Sequence, residues 1–91
     1  MNNPNKLYVG VIVDFRDDGV MLPREIVWED GRHFKIDRVS DLRQAASMKA
    51  GGQGDRYTIE IGGKQRYLFF ERSPNLRGPR LGRWFVERAN A

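Results

Sequence analysis

The sequence has no cysteine, which excludes disulfide staples, thiolate zinc sites, iron–sulfur clusters and thiol catalysis. A single histidine, His33, leaves little material for a histidine-based metal centre. Long apolar runs are missing too. The longest, Leu7–Val13, is far short of the roughly 20 residues that a helical membrane span needs. No cationic segment followed by an apolar stretch is present, so no secretory signal is read and a cytoplasmic location is expected. The 91 residues hold enough material for one core and not for two. The opening Met-Asn-Asn-Pro-Asn is polar and helix-breaking, so residues 1–5 are expected to be a disordered tail and 6–89 a single β domain.

What is there is basic and aromatic. Sixteen Lys+Arg face twelve Asp+Glu, a formal charge of +4, and ten aromatic residues argue against disorder. The charge is unevenly placed. Residues 1–45 hold seven bases and eight acids, a net of −1, whereas residues 46–91 hold nine bases and four acids, a net of +5. Within the second half, Arg72–Arg83 contains four arginines and no acid, so these twelve residues equal the whole excess.

Apolar periodicity points to strands. Leu7, Val9, Val11, Val13 and Phe15 recur at spacing two, with Tyr8, Gly10, Ile12, Asp14 and Arg16 opposite. Asp17-Asp18-Gly19 makes a turn, and Pro23 belongs at a strand start or an edge. Arg24–Glu29 and Arg32–Val39 flank Asp30-Gly31, a hairpin signal. A three-residue loop Glu29-Asp30-Gly31, with Gly31 in the left-handed region, pairs Ile26 with Phe34 and sets Glu25 opposite Lys35. That register gathers Ile26, Trp28, Phe34 and Ile36 on one face, and burial should select it.

A second hairpin joins Arg56–Ile61 to Lys64–Glu71 through Gly62-Gly63. The same three-residue logic places Tyr57, Ile59, Tyr67 and Phe69 on one face and Glu60 opposite Lys64, with Leu68 and Phe70 on the other face. A last strand, Arg83–Arg88, carries Trp84, Phe85 and Val86. Between the hairpins, Ser40–Ala50 has a capping serine and helix-compatible residues ending at Gly51-Gly52, which suggests a short helix near 41–50; a bulged continuation of the preceding strand fits as well. The expected fold is mainly β: an antiparallel meander of five to six strands forming a small barrel or strongly bent sheet. Its core should contain Val9, Val11, Val13, Ile26, Trp28, Phe34, Ile36, Tyr57, Ile59, Tyr67, Phe69, Trp84 and Val86.

Motifs for catalysis are thin. Gly51-Gly52-Gln53-Gly54-Asp55-Arg56 lacks the Lys-Ser/Thr ending of a phosphate-binding loop, and the strand after it offers no helix N-terminus to a phosphate. His33 sits beside a tight turn on the solvent face, and Ser40, Ser47 and Ser73 lack any nucleophile-elbow context. Asp14, Asp17 and Asp18 could attract a hard cation, but turn chemistry explains them and the calcium-loop pattern is absent. No enzyme activity, small-molecule substrate, metal or cofactor is expected.

The best functional candidate is the arginine loop, with Arg72, Arg77, Arg80 and Arg83 as contacts for an anionic partner, nucleic acid or an acidic protein. If all four neutralised phosphates of duplex DNA, the salt slope would be about −3.6. Phe70 and Trp84 could stack on bases if exposed. The plain alternative is a solvated charged loop. From a different class comes a structural homodimer or protein-interaction subunit acting through an apolar face or an uncovered edge of Leu7–Phe15.

Trp28-x-x-Gly31-Arg32-x-Phe34, with Tyr67-Leu68-Phe69-Phe70-Glu71 and Trp84-Phe85-Val86-Glu87, resembles a family of small uncharacterised β-rich bacterial domains. Those domains share a Trp-x-x-Gly-Arg-x-aromatic hairpin and a Trp-x-Val terminal strand. The resemblance spans about residues 24–88 and rests on turn glycines and core aromatics. It implies a compact β domain and carries over no functional residue.

Overall fold

Turn chemistry sets the strand boundaries. The computed structural model describes residues 6–46, 53–73 and 80–87. Its regular elements are β1 (Lys6–Phe15), β2 (Met21–Val27), β3 (His33–Lys35), β4 (Arg38–Ala46), β5 (Gln53–Ile61), β6 (Lys64–Arg72) and β7 (Gly82–Glu87). They form one sheet in the order β3-β2-β1-β7-β6-β5-β4, with every pair antiparallel. Sequence neighbours are sheet neighbours throughout, except that β1 meets β7 and β3 does not pair with β4. The result is the expected meander, curled into a half-barrel. The expected tail at 1–5 lies outside the described residues.

Seven strands replace the expected five or six because Arg32–Val39 is not one strand. The chain leaves β3 and enters β4 through Ile36 and Asp37, whose consecutive amides donate to opposite arms of the sheet. Ile36 N–H reaches the Arg24 carbonyl at 2.9 Å and Asp37 N–H the Glu60 carbonyl at 2.8 Å. This crossing joins the two sheet ends covalently, so the sheet must curl.

The short helix expected near 41–50 is not formed over 41–46, which belong to β4; residues 47–50 lie outside the described residues. A bulge between Val39 and Asp41 lets the chain keep pairing with β5, and the Ser40 hydroxyl donates to the Thr58 carbonyl at 3.4 Å. The thin apolar stripe there could not bury a helix face, whereas β5 offered a ladder along one side of the segment.

The first hairpin has the expected register: Ile26 opposite Phe34, Glu25 opposite Lys35, and Gly31 at φ 89°. The Glu25 carboxylate nevertheless lies against His33 Nδ1, at 3.2 Å, rather than Lys35. Pro23 is fully buried beside a bulge where β1 shifts register, and no β3 residue needs its missing N–H.

The second hairpin corrects the expected register. Gly62 and Gly63 both take positive φ, 59° and 79°, which makes a two-residue turn and pairs Ile61 with Lys64 and Glu60 with Gln65. Such a turn matches the twist of the strands it joins. The one-residue slip exchanges faces: Leu68 and Phe70 now share the inner face with Tyr57 and Ile59, and Tyr67 and Phe69 face out.

The core cluster is therefore Ile26, Ile36, Tyr57, Ile59, Leu68 and Phe70, with Val9, Val11, Trp28, Phe34, Trp84 and Val86 packed on it. Ile59 and Leu68 are 0% exposed; each contributes roughly 1.5–3 kcal/mol through burial. Tyr57 braces the curl. Its hydroxyl donates to the Met21 carbonyl at 2.8 Å, tying β5 to the start of β2. Burial, and then the Asp55 carboxylate, push the Tyr57 phenol up from its ordinary value.

β1 does not present the expected edge. It pairs with β7 along Lys6–Val9 and with β2 along Gly10–Phe15, so neither side is free along its whole length. The ends of the sheet order are β3 and β4.

Candidate nucleic-acid interface

The four arginines proposed from the sequence do not gather on one surface. β6 and β7 pair Phe69 with Phe85, Phe70 with Trp84, Glu71 with Arg83 and Arg72 with Gly82. Side chains alternate along a strand, so Arg72 and Arg83 lie on opposite faces. Arg72 turns to the inner face, where its guanidinium contacts both Asp55 oxygens at 3.2 and 3.3 Å. Arg83 lies on the outer face. Arg80 is exposed and, among the described residues, pairs with no carboxylate. Arg77 lies outside the described residues. The amide of Ser73 donates to the Leu81 carbonyl at 2.9 Å, closing the base of the connection between β6 and β7.

Phe70 and Trp84, named as base-stacking candidates, are turned inward. Phe70 is buried, and Trp84 packs on Phe70 and Tyr57 with ring centroids 4.9 and 5.3 Å apart. Other rings lie on the outer face, although Phe85 among them is only 3% exposed and serves as the floor on which its neighbours pack. Phe69 stacks on Phe85 at 4.9 Å and 7°, and Tyr8 meets Phe85 edge-on at 5.9 Å.

Cations cover these rings. The Arg83 guanidinium lies 3.4 Å from the Tyr8 ring centroid, Lys6 Nζ lies 4.5 Å from that of Phe85, and the Arg56 guanidinium lies 4.7 Å from that of Tyr67. Cation–aromatic pairs of this kind hold a guanidinium flat while leaving its second face to stack elsewhere. Tyr67 is 44% exposed. The platform crosses four strands, β1, β7, β6 and β5.

Its electrostatics divide into paired and unpaired cations. Glu71 accepts hydrogen bonds from Lys6 Nζ and, at 3.1 Å, from the Tyr8 hydroxyl. Burial alone would push the Glu71 carboxyl up, but Lys6, the Tyr8 hydroxyl and nearby Arg83 together hold it below its usual range. Glu71 thus stays charged and positions Lys6 and Tyr8. Arg43 pairs with Asp41 at 2.7 Å. Arg56 sits directly opposite Arg43 on the neighbouring strand, its Nε is enclosed without a hydrogen-bond partner, and no described carboxylate forms an ion pair with it. Arg56, Arg80 and Arg83 are therefore described cations left for an external anion on or beside this face, and exposed Arg38, opposite Glu60 at the start of β4, is another without an ion pair among the described residues.

Sequence reasoning missed Lys6, Tyr8 and Arg56, and assigned Tyr67 and Phe69 to the core. For Tyr8 a signal was present: it stood opposite the apolar face of its strand. For Tyr67 and Phe69 the error was the hairpin register. Two of the three aspartates weighed for a cation have ordinary partners. Asp14 pairs with Arg24 at 3.2 Å and Asp18 with Arg16 at 3.0 Å. Among the described residues, no group of three or more His, Asp or Glu is placed to hold a metal ion, and no helix is long and apolar enough to cross a membrane.

The inner side of the half-barrel holds an open concavity of about 800 Å³ with an apolar floor that includes Leu7, Ile26, Phe34, Ile59 and Val86. No protein-family model matches the chain, and neither a curated protein nor a solved structure matches it.

Proposed function

We propose that this protein is a non-enzymatic binding module for single-stranded nucleic acid, received on the outer face of the β1–β7–β6–β5 sheet. The observation that carries the reading is the Arg83 guanidinium laid 3.4 Å over the Tyr8 ring beside the stacked Phe69–Phe85 pair. At the far side of the same face, Arg56 lies over the half-exposed Tyr67. A single strand can stack bases on the exposed Tyr67 ring and on the Arg83 guanidinium plane, with buried Phe85 as support beneath, while its phosphates meet arginine; a duplex, with its bases already stacked, cannot. Arg80 adds a cation beside this face, and Arg77 adds a further positive charge in the sequence that connects β6 to β7. Arg72 is assigned a structural role, since its charge is met by Asp55. The cysteine-free chain suits a cytoplasmic setting, where such a partner is at hand.

The test is fluorescence anisotropy with a labelled single strand of about 20 nucleotides and the matching duplex, each at several salt concentrations. The single strand is expected to bind more tightly, with a salt slope of about −2.8 if Arg56, Arg77, Arg80 and Arg83 each neutralise one phosphate at roughly 0.7 apiece. R83Q and R56Q should each flatten that slope by about 0.7, and Y67A should weaken binding by about 1–3 kcal/mol if a base stacks there. R72Q should leave affinity unchanged. Preference for the duplex, or affinities that R83Q, R56Q and Y67A leave unaltered, would overturn the assignment.

The concavity favours a second reading, in which a partner's apolar side chains fill the half-barrel. That reading expects binding of protein but not of either oligonucleotide.

A further inference from the structure

We propose that the protein self-associates as a two-fold dimer by antiparallel pairing of β4 with β4 of a second copy, centred on Leu42. β4 is nine residues long and ends the sheet order, and among the described residues only β5 pairs with it. The opposite end of the sheet, β3, has three residues and offers little to a partner. A long strand at a sheet edge carries a row of free backbone donors and acceptors, which is a template for another strand.

Charge selects the occupant and the register. In a continuous antiparallel sheet about a two-fold axis, residues that face each other must lie on the same face, so the axis passes through one residue of β4. Centred on Asp41, the pairing sets Asp41 against its own copy; centred on Arg43, it sets Arg43 against its own copy. Both place like charges directly opposite, which is destabilising. Centred on Leu42, it sets Asp41 opposite Arg43 of the second copy, and Arg43 opposite the second copy's Asp41. The same register brings the two Leu42 side chains together at the axis, and Leu42 is 44% exposed in the single chain. Ser40 then faces Gln44 of the second copy. The bulge between Val39 and Asp41 breaks the even alternation of β4 there, so the paired segment is Ser40–Gln44. A contact this short makes a weak dimer, with a dissociation constant on the order of 100 μM. The axis stands perpendicular to the sheet, so the outer faces of both copies lie on one side.

Sedimentation velocity over about 10–500 μM tests this with two charge-reversal variants, D41R and R43D. Wild type should shift from monomer to dimer across that range. Each variant by itself places two like-charge pairs across the axis and should raise the dissociation constant about tenfold or more. Mixed in equal amounts, D41R and R43D regain opposite charges at both positions, so the mixture should form a heterodimer at concentrations where each alone stays monomeric. A wild-type chain that is monomeric throughout would overturn the proposal. So would variants that dimerise like wild type, or a mixture no more associated than its components.

Discussion

Replacing Leu68 by alanine separates the two registers open to the second hairpin, and a parallel Y67A variant supplies the control. With Gly62-Gly63 as a two-residue turn, Leu68 is 0% exposed against Tyr57 and Ile59, while Tyr67 faces out at 44%. Truncating a fully buried leucine removes its transfer free energy and leaves a cavity, together about 3 kcal/mol. Unfolding entropy near 2.1 cal/mol/K per residue is roughly 0.19 kcal/mol/K for 91 residues, so L68A should lower Tm by about 16 °C. Y67A forfeits the exposed Arg56–ring contact, roughly 0.5–1 kcal/mol, or about 3–5 °C. Scanning calorimetry of the three proteins at one pH reads both numbers. Had a three-residue turn placed Tyr67 inside, the order would reverse. A Y67A protein that melts below L68A would therefore refute the register, and with it the assignment of Tyr67 and Phe69 to the outer face.

Y57F keeps the ring and removes the hydrogen bond to the Met21 carbonyl, and should cost about 1 kcal/mol in urea unfolding; a midpoint equal to wild type would show that this brace adds nothing. G82A would drive a Cβ against the Glu71 carbonyl and the Phe70 ring, and overpacking of this sort costs roughly 1–3 kcal/mol. A G82A melting temperature at or above wild type would contradict that close approach. Glu71 sets an acid dependence: its folded-state pKa is held below the unfolded value, near 4.5, so the stability it contributes is present above that pH and is lost as pH falls through the folded value. The stability difference between wild type and E71Q should therefore shrink on acidification from about pH 6 to about pH 3, and a difference that stays constant over that window would remove Glu71 from the account.

The strands themselves were legible because they repeat at spacing two and are punctuated by glycine. Val9 and Val11 lie inward as their alternation implies, and the Asp30-Gly31 hairpin has the register that burial of Ile26 and Phe34 demands. The second hairpin was ambiguous because Lys64–Glu71 is apolar on both faces from Tyr67 to Phe70, so alternation could not say which pair is inside. Two adjacent glycines decided it, since both accept the positive φ of a two-residue turn. β4 was illegible for a related reason. Its apolar content is too thin to show a period, and it is a strand only because the Glu60 side of β5 lies within reach of the chain leaving Ile36.

Charge follows the same division. The sequence by itself determined that the basic excess lies in Arg72–Arg83, because composition along the chain is independent of folding. Only the tertiary structure decided that Arg72 and Arg83 part to opposite faces, that Asp55 takes one and Tyr8 the other, and that Arg56 joins the outer face from β5, the strand beside β6. Pairing register and sheet curl settle those matters, and both depend on contacts between residues far apart in the chain.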